Sequence, residues 1–475
     1  MGPRGPIRYL TAFFGIAATA SLAAVPLAGI SAGTVTAAHT AQLTDRMVPA
    51  VSMNGKPLMR KTQGPNASGT FSCQAPASAT NPTPCFAPAQ IRRAYDIPSN
   101  LTGAGETIVI IDAFQNPTIV NDLALFDATF GLPTPTLNII APQGLTPFDP
   151  TNPDQVSWAA EIALDVQWSH AIAPGATIDL VLAKSDADPE LLAAQQYAIG
   201  HNLGGVLSQS FGGAETCMAP SVFTAQHQAF ELAKQNDMTV FASAGDEGAA
   251  QPNCAGTAYI KSVSTPASDP LVTGVGGTHL YANYTTGVYY GETVWNNSGL
   301  NPDFGAGGGG FSTIYSRPSY QNSARTRSAF RGVPDVTYNG DVYNGVLAVC
   351  SECGAGPNQF FIFGGTSAGS PQWSGIAALA DQAAGHRLGF LNPSLYAVTK
   401  YPPYYAALHD VTTGNNSWDV SGVTGYSARP GWDPASGLGS PKAAILIAFL
   451  QLPLRVVGSP LFVAQPDVRG GRFRG

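Results

Sequence analysis

The chain has 475 residues, 44% of them hydrophobic and 53 of them glycine, enough to bury one large core or two ordinary ones. Charged residues make up only 11%, the formal net charge is -7, and the 23 Lys and Arg are scattered, which disfavours a nucleic-acid partner. A fold with few ionisable groups rests on few salt bridges and loses little when its carboxylates protonate, so tolerance of acid is expected.

In chain order, Arg4 and Arg8 precede an apolar stretch from Tyr9 through Ile30 that ends in small residues around Ser31 to Ala38. This is the pattern of a secretory signal, assigned to residues 1–37, and implies a secreted, extracellular protein with no stable membrane insertion after cleavage. Residues 38–85, rich in Ser, Thr, Pro, Gly and Ala, show no sustained period and read as a linker or short pro-region. Residues 86–450 form the folded domain and 451–475 a C-terminal tail. A helix is expected over 87–96, then a strand from Thr107 to Ile111 closed by Asp112. Further buried strands are expected at Ile178 to Leu182, Gly205 to Ser208, Met238 to Ala242 and Leu271 to Val275, with helices over Gln155 to Ser169 and Ser221 to Asn236 between them. Short apolar strands alternating with longer helices indicate an α/β fold with a mostly parallel central sheet covered on both faces. The six cysteines fall into near pairs, Cys73 and Cys85, Cys217 and Cys254, Cys350 and Cys353. Three local disulfides suit export, although six cysteines permit fifteen pairings; Cys350 and Cys353 also match half of a zinc knuckle, with no second pair to complete it.

Two constellations carry chemistry. Glu161 and Asp165 lie four apart on an expected helix, so both carboxylates project from one face, and like charges held close can share one proton at moderately acidic pH. A solvated helix face would show the same spacing. The second runs Gly364-Gly365-Thr366-Ser367-Ala368-Gly369-Ser370-Pro371 between an apolar strand and a helix through Trp373 to Ala384. Ser367 would then sit at the positive end of that helix, where a developing oxyanion is favoured, though an N-capping role fits the same residues. Gly365-Thr-Ser367-Ala-Gly369 also satisfies the G-x-S-x-G pattern of esterases. That class needs an acid and then a His downstream, and neither His386 nor His409 follows a suitably placed acid.

The Ser367 segment, with Pro371 four residues on, resembles the nucleophile motif of the sedolisin family of serine-carboxyl peptidases. The helical Glu161-x-x-x-Asp165 pair, the Ala173-Pro174-Gly175-Ala176 turn after it, and Phe241-Ala-Ser243-Ala-Gly245-Asp246-Glu247-Gly248 are similar to further motifs of that family. Ser208-Gln-Ser210-Phe-Gly212, Pro266-Ala-Ser268, Val275-Gly-Gly277-Thr278 and Val333-Pro334-Asp335-Val336 extend the resemblance over about residues 86 to 445. It implies a subtilisin-like three-layer fold and an acid-active endopeptidase in which Ser367 attacks, Glu161 and Asp165 move its proton, and a protonated Asp246 donates to the oxyanion, with a tripeptidyl peptidase of the same family or a catalytically inactive peptide-binding homologue as the alternatives. Asp112 resembles the place of the acidic triad member in subtilisins and is read as structural or as a subsite residue. Substrate is expected to add a strand beside Ser208 to Gly212 and Gly305 to Gly310, with Glu215, Phe211 and Trp295 as pocket candidates, a core role for either aromatic fitting equally well. Asp410-Val411 and Arg429-Pro-Gly431-Trp-Asp433 resemble the family's calcium site, which implies Ca2+ held by the two carboxylates and the carbonyls of Val411, Arg429 and Gly431, with Arg429 standing where the family has Gly. Protein or peptide substrates and a monomer are expected. One departure is the short stretch ahead of Ala87, where the family commonly carries a large prodomain.

Overall fold

The computed structural model describes residues 46–49, 52–53, 56–78, 81, 83–299, 305–324, 328–400 and 404–452. The targeting segment and nearly all of the C-terminal tail lie outside them. Strands are β1 Val48–Pro49, β2 Met59–Thr62, β3 Thr107–Ala113, β4 Leu137–Ile140, β5 Thr177–Ala183, β6 Val206–Gln209, β7 Phe211–Ala214, β8 Thr239–Ser243, β9 Ser264–Thr265, β10 Thr273–Ala282, β11 Tyr289–Val294, β12 Val336–Asn339, β13 Gly345–Val349 and β14 Phe360–Phe363. The main helices are α1 Ile119–Phe130, α2 Pro153–Ile172, α3 Asp188–Gly200, α4 Pro220–Gln235, α5 Gly369–Ala384 and α6 Ala443–Leu450.

The central sheet has the order β11-β10-β8-β6-β3-β5-β4, with β12 also paired to β10. Every pairing is parallel except β10 with β11. Parallel strands need crossover helices, and these cover both faces. Strand alternation divides the core: Ile108 and Ile110 of β3 belong to one apolar cluster with α2 and α5, while Val109, Ile111 and Ala113 join a second with α3 and α4. Asp112 therefore points to the α2 face. Its strand continues one residue past it, slightly beyond the expected end.

Strands flank the Ser367 turn on two sides. β14 pairs antiparallel with β13 and leads directly into the Gly364–Gly365 turn. Its other edge carries β2, with Phe363 opposite Met59 and Phe360 opposite Thr62. β1 pairs antiparallel with β7, Val48 opposite Gly212 and Pro49 opposite Phe211, while β9 holds the far part of β7. The region read as an irregular linker thus contributes strands. Its backbone, rather than any alternation of side chains, makes the pairing. All three local disulfides form, Cys73–Cys85, Cys217–Cys254 and Cys350–Cys353, which removes Cys350 and Cys353 as metal ligands.

α2 and α5 pack along each other, and their approach depends on Gly375. A Cβ there would lie 2.6 Å from Ile172 Cβ. Gly→Ala inside a helix ordinarily stabilises by up to about 1 kcal/mol. Here Gly375→Ala is expected to destabilise by about 1–3 kcal/mol through overpacking, and to lower activity by moving α2 against α5. Chemical denaturation with parallel activity measurement checks both; a stabilised, fully active variant would contradict the packing argument.

Candidate active site

β14 ends at a turn that only small residues fit. Gly365 has φ 95°, and a Cβ on Gly364 would lie 2.6 Å from the Val342 nitrogen. A single 3-10 turn, Thr366–Ala368, then leads into α5, which begins at Gly369, earlier than the sequence indicated, with Pro371 in its first turn. Ser367 is fully buried in that turn, and its Oγ lies 3.4 Å from the Ser210 carbonyl oxygen, to which it donates.

α2 starts on Asn152, whose side chain accepts from the Asp154 and Gln155 amides, and Pro153 occupies its first position. Glu161 and Asp165 follow on one face, and both are fully buried, so this is no solvated helix surface. Helix α2 also packs against the Thr366–Ala368 turn. Asp165 Oδ1 accepts from Ser210 Oγ at 2.8 Å. Ser210 therefore touches Ser367 through its carbonyl and Asp165 through its hydroxyl. Burial pushes the Asp165 carboxyl well above the usual carboxylate range, against the Ser210 hydrogen bond, which favours ionisation. Asp112 is also fully buried, with no hydrogen bond to either carboxylate oxygen. Burial first, and the Asp165 charge second, raise its carboxyl well above the ordinary value.

Asp246 follows Gly245, whose φ of 101° turns the chain at the end of β8. Its Oδ1 accepts from the Thr366 amide at 2.7 Å and from Thr366 Oγ1 at 2.9 Å, and that hydroxyl in turn accepts from the Gly245 amide at 3.1 Å. Its Oδ2 is buried and has no hydrogen-bond partner. Burial pushes the Asp246 carboxyl well above the usual range; the Thr366 amide opposes this, and the charge of neighbouring Glu247 adds to it. The protonated form is thus favoured, with one oxygen anchored and the other available to donate.

The structure brings Thr366 and Ser210 into the site, two residues that sequence motifs quoted but gave no role. The histidines are engaged elsewhere: His170 lies 3.1 Å from Asp127, His227 2.7 Å from Asp269, and His279 2.5 Å from Asp341. His201 and His386 bond to backbone carbonyls, and His409 stacks on Tyr289, leaving no described histidine bonded to Ser367. The two aromatic pocket candidates take the core role that was also open to them. Phe211 and Trp295 are fully buried, and the Glu215 carboxylate accepts from Ser312 Oγ, the Thr313 amide and Thr313 Oγ1. The Gly305 to Gly310 run is likewise committed: the Gly307 and Gly308 amides donate to Trp295 and Gly245 carbonyls, bracing the Asp246 loop.

The two loops expected to bind calcium do meet. Asp410 Oδ2 accepts from the Gly431 amide at 2.9 Å, and Ser436 Oγ donates to the Val411 carbonyl at 3.2 Å. Asp433 accepts from the Arg429, Ala435 and Ser436 amides. Gly431 needs its left-handed φ of 78°, whereas Arg429 does not adopt one, so the Arg in place of Gly introduces no strain. Burial raises both carboxyls, Asp433 to about 6. The two carboxylates, with the Val411 carbonyl linked to Asp433 through Ser436 Oγ, are hard oxygen donors of the kind calcium takes. Among the described residues no group of three or more His, Cys, Asp or Glu could hold a metal.

Comparison with known proteins agrees with this geometry. The subtilase family matches over residues 157–396. Kumamolisin of Bacillus sp. (strain MN-32) is 34% identical over 397 residues, covering 81% of this chain and 66% of that protein. Sedolisin of Pseudomonas sp. (strain 101) is 33% identical over 373 residues, covering 77% and 61% respectively, and tripeptidyl-peptidase 1 of Homo sapiens is 27% identical over 400 residues, covering 77% and 64%. The chain thus spans slightly under two thirds of the length of these relatives. The solved structure of Pseudomonas sedolisin complexed with two molecules of pseudo-iodotyrostatin superposes with a TM-score of 0.68 at 31% identity, covering 78% of this chain and 98% of that one. With a subtilisin-like sheet, the Ser367 turn packed against the helix of Glu161 and Asp165, and Asp246 bonded to Thr366, the chain belongs to the subtilase family and, within it, to the sedolisins, the serine-carboxyl peptidases.

Proposed function

We propose that the chain is a secreted, acid-active serine-carboxyl endopeptidase. The observation that carries this reading is Asp246, a buried carboxyl anchored at Oδ1 by the residue before Ser367, with Oδ2 left to donate. Ser367 Oγ attacks the substrate carbonyl carbon while Glu161 takes its proton, and Asp165 orients Glu161 and shares its charge. The tetrahedral oxyanion accepts a hydrogen bond from the protonated Asp246. Collapse expels the amine, which takes the proton from Glu161, and leaves an acyl ester on Ser367; water then repeats the sequence in reverse. Three disulfides support an extracellular setting.

The β1–β7 pair supports endopeptidase action over tripeptide release. A substrate strand continuing its register would set the residue after the Pro49 position level with Ser210, whose carbonyl accepts from Ser367 Oγ. That residue would supply the acyl group. Positions 46 and 47 then stand fifth and fourth from the cut on the acyl side, and both are accommodated. Residues 38–85 are proposed as a short pro-region, with β1 holding the substrate's track until removal.

The pH dependence follows from the raised carboxyls. Asp246 donates below its raised value and loses that ability as pH rises through it, so activity falls toward neutrality. Hydrolysis of an unfolded protein from about pH 3 to pH 7 should show an acid optimum, with Ser367→Ala and Glu161→Ala inactive and Asp246→Ala slower by about 10²–10³-fold. Intact substrate at every pH, or full activity in Glu161→Ala and Asp165→Ala, would defeat the proposal. Stability should follow the same sign. Glu247 and Asp381 are each raised to about 7, so the stability they contribute is complete below their ordinary unfolded values of 4.5 and 3.8 and is lost as pH rises toward 7. Calorimetry should show a falling unfolding temperature over that window; a rise would contradict it.

Calcium is proposed at Asp410 and Asp433 with the carbonyls of Val411, Arg429 and Gly431, where the ion would tie two loops together. Chelation should lower the unfolding temperature and then activity. No calcium by metal analysis, with an unchanged transition, would reject the site.

A further inference from the structure

By sequence, residues 38–85 form one irregular stretch, yet their later part is built into the core. Leu58 and Phe71 are each 1% exposed and Cys73 3%, and all three belong to the apolar cluster that joins α2 and α5. The Phe71 ring stacks on Phe130 of α1 and meets Phe360 of β14 edge to face, with ring centres 5.8 and 5.0 Å apart. Gln74 accepts from the Phe71 amide at 2.9 Å and donates to Gln90, on the short helix Pro88–Ala94, at 3.1 Å. Cys73 is bonded to Cys85, which pairs with Gly345 at the start of β13. Between the two cysteines, Pro76, Ala77 and Ser78 are exposed.

β2 completes the sheet in which β14 lies. β13 covers one edge of β14 and β2 the other, and every residue of the run Phe360-Phe361-Ile362-Phe363 is at most 6% exposed. Without β2 this run would present an unpaired apolar edge, the kind of strand that aggregates. The effect reaches Ser367 through the backbone. The Gly364 amide donates to the Leu58 carbonyl at 2.9 Å, and the Gly365 amide to the Gly340 carbonyl at 2.6 Å. These two bonds fix the turn three and two residues ahead of Ser367. Removing Leu58 would leave the buried Gly364 amide without its acceptor, which is unfavourable.

We infer, on the reading that the site is a peptidase, that residues 58–73 are a permanent part of the active enzyme, in which Leu58 and β2 position the Ser367 turn and the Cys73–Cys85 bond keeps them in place through processing. The pro-region that leaves then ends ahead of Leu58. A further cut in the exposed stretch between the cysteines, in which water hydrolyses one peptide bond, would not release the strand, because the disulfide spans it. The active enzyme is then either one chain that includes β2 or two chains joined at Cys73 and Cys85. Leu58 and β2 are positioning elements: they act on Ser367 through the Gly364–Gly365 turn.

The test starts from the full chain, matured in acid. The fraction that hydrolyses peptide is isolated, and its mass is read before and after reduction. Residues 58–73 should be present in every active molecule, continuous with the domain or released from it by reduction. Leu58→Ala should lower kcat by about tenfold while KM changes by less than about twofold, because the turn is disturbed and the substrate's track is not. Leu58→Met, of similar volume, should keep the wild-type kcat. If Leu58→Ala does not fold, Leu58→Val should show the same split at smaller amplitude. An active enzyme that lacks Met59–Thr62, or a Leu58→Ala or Leu58→Val enzyme that loses stability yet keeps its kcat, overturns the inference while leaving the peptidase reading standing. Failure of every form to hydrolyse peptide would defeat the peptidase reading by itself. Limited digestion of the full chain by an added protease then reads the strand without catalysis: a resistant core that keeps residues 58–73 sustains their place in the fold, and a core that has lost them overturns it.

Discussion

The contact between Thr366 and Asp246 ties the site together. Both donors of Thr366, amide and hydroxyl, close on Oδ1 of Asp246, and the hydroxyl also receives the Gly245 amide. Thr366, the residue before Ser367, thus fixes the Asp246 loop from 120 positions away in the chain. An amide donor alone would favour the ionised carboxylate. Full burial and the neighbouring Glu247 outweigh it, and the net direction is upward. A carboxyl held in that balance can be rigid at one oxygen and protonated at the other, which an oxyanion donor requires.

The same economy of charge recurs around it. Asp112, Asp165 and Asp246 are all raised well above the ordinary carboxylate range, each chiefly by burial. Such groups make poor partners at neutral pH and cheap ones in acid, where they are neutral. The low content of charged residues noted at the outset has this counterpart inside the fold. Several of its buried acids favour the protonated form, while others sit against bases, as Asp335 does on Arg331 and Asp186 on Arg46.

Chemistry confined to a few consecutive residues was legible in the sequence. The glycines before Ser367 and the four-residue spacing of Glu161 and Asp165 carry local geometry, and the structure buries both groups on elements that touch. The helices and parallel strands were legible because apolar runs and turn residues mark them. Partners brought from far along the chain were not: nothing local to Ser210 predicts its hydroxyl on Asp165. Asp112, read as structural or as a subsite residue, is turned inward to the α2 face by strand alternation, a placement that suits the structural reading. The strands Val48–Pro49 and Met59–Thr62 stayed hidden because backbone pairing leaves no side-chain period. The Gly305 to Gly310 run looked free for substrate, yet close backbone approach commits it to the Asp246 loop, with a Cβ at Gly308 falling 2.0 Å from the Ala244 oxygen.

The account depends most on the protonation of one carboxyl. Difference infrared spectroscopy of the chain against Asp246→Asn, titrated from acid to neutral pH, reads that group directly through its carboxylic-acid carbonyl band. The account predicts a band that belongs to Asp246 and persists well above the pH at which an ordinary aspartate ionises. A carboxylate signal for Asp246 already present at about pH 4 would contradict it, because an ionised Asp246 would repel the oxyanion it is assigned to stabilise.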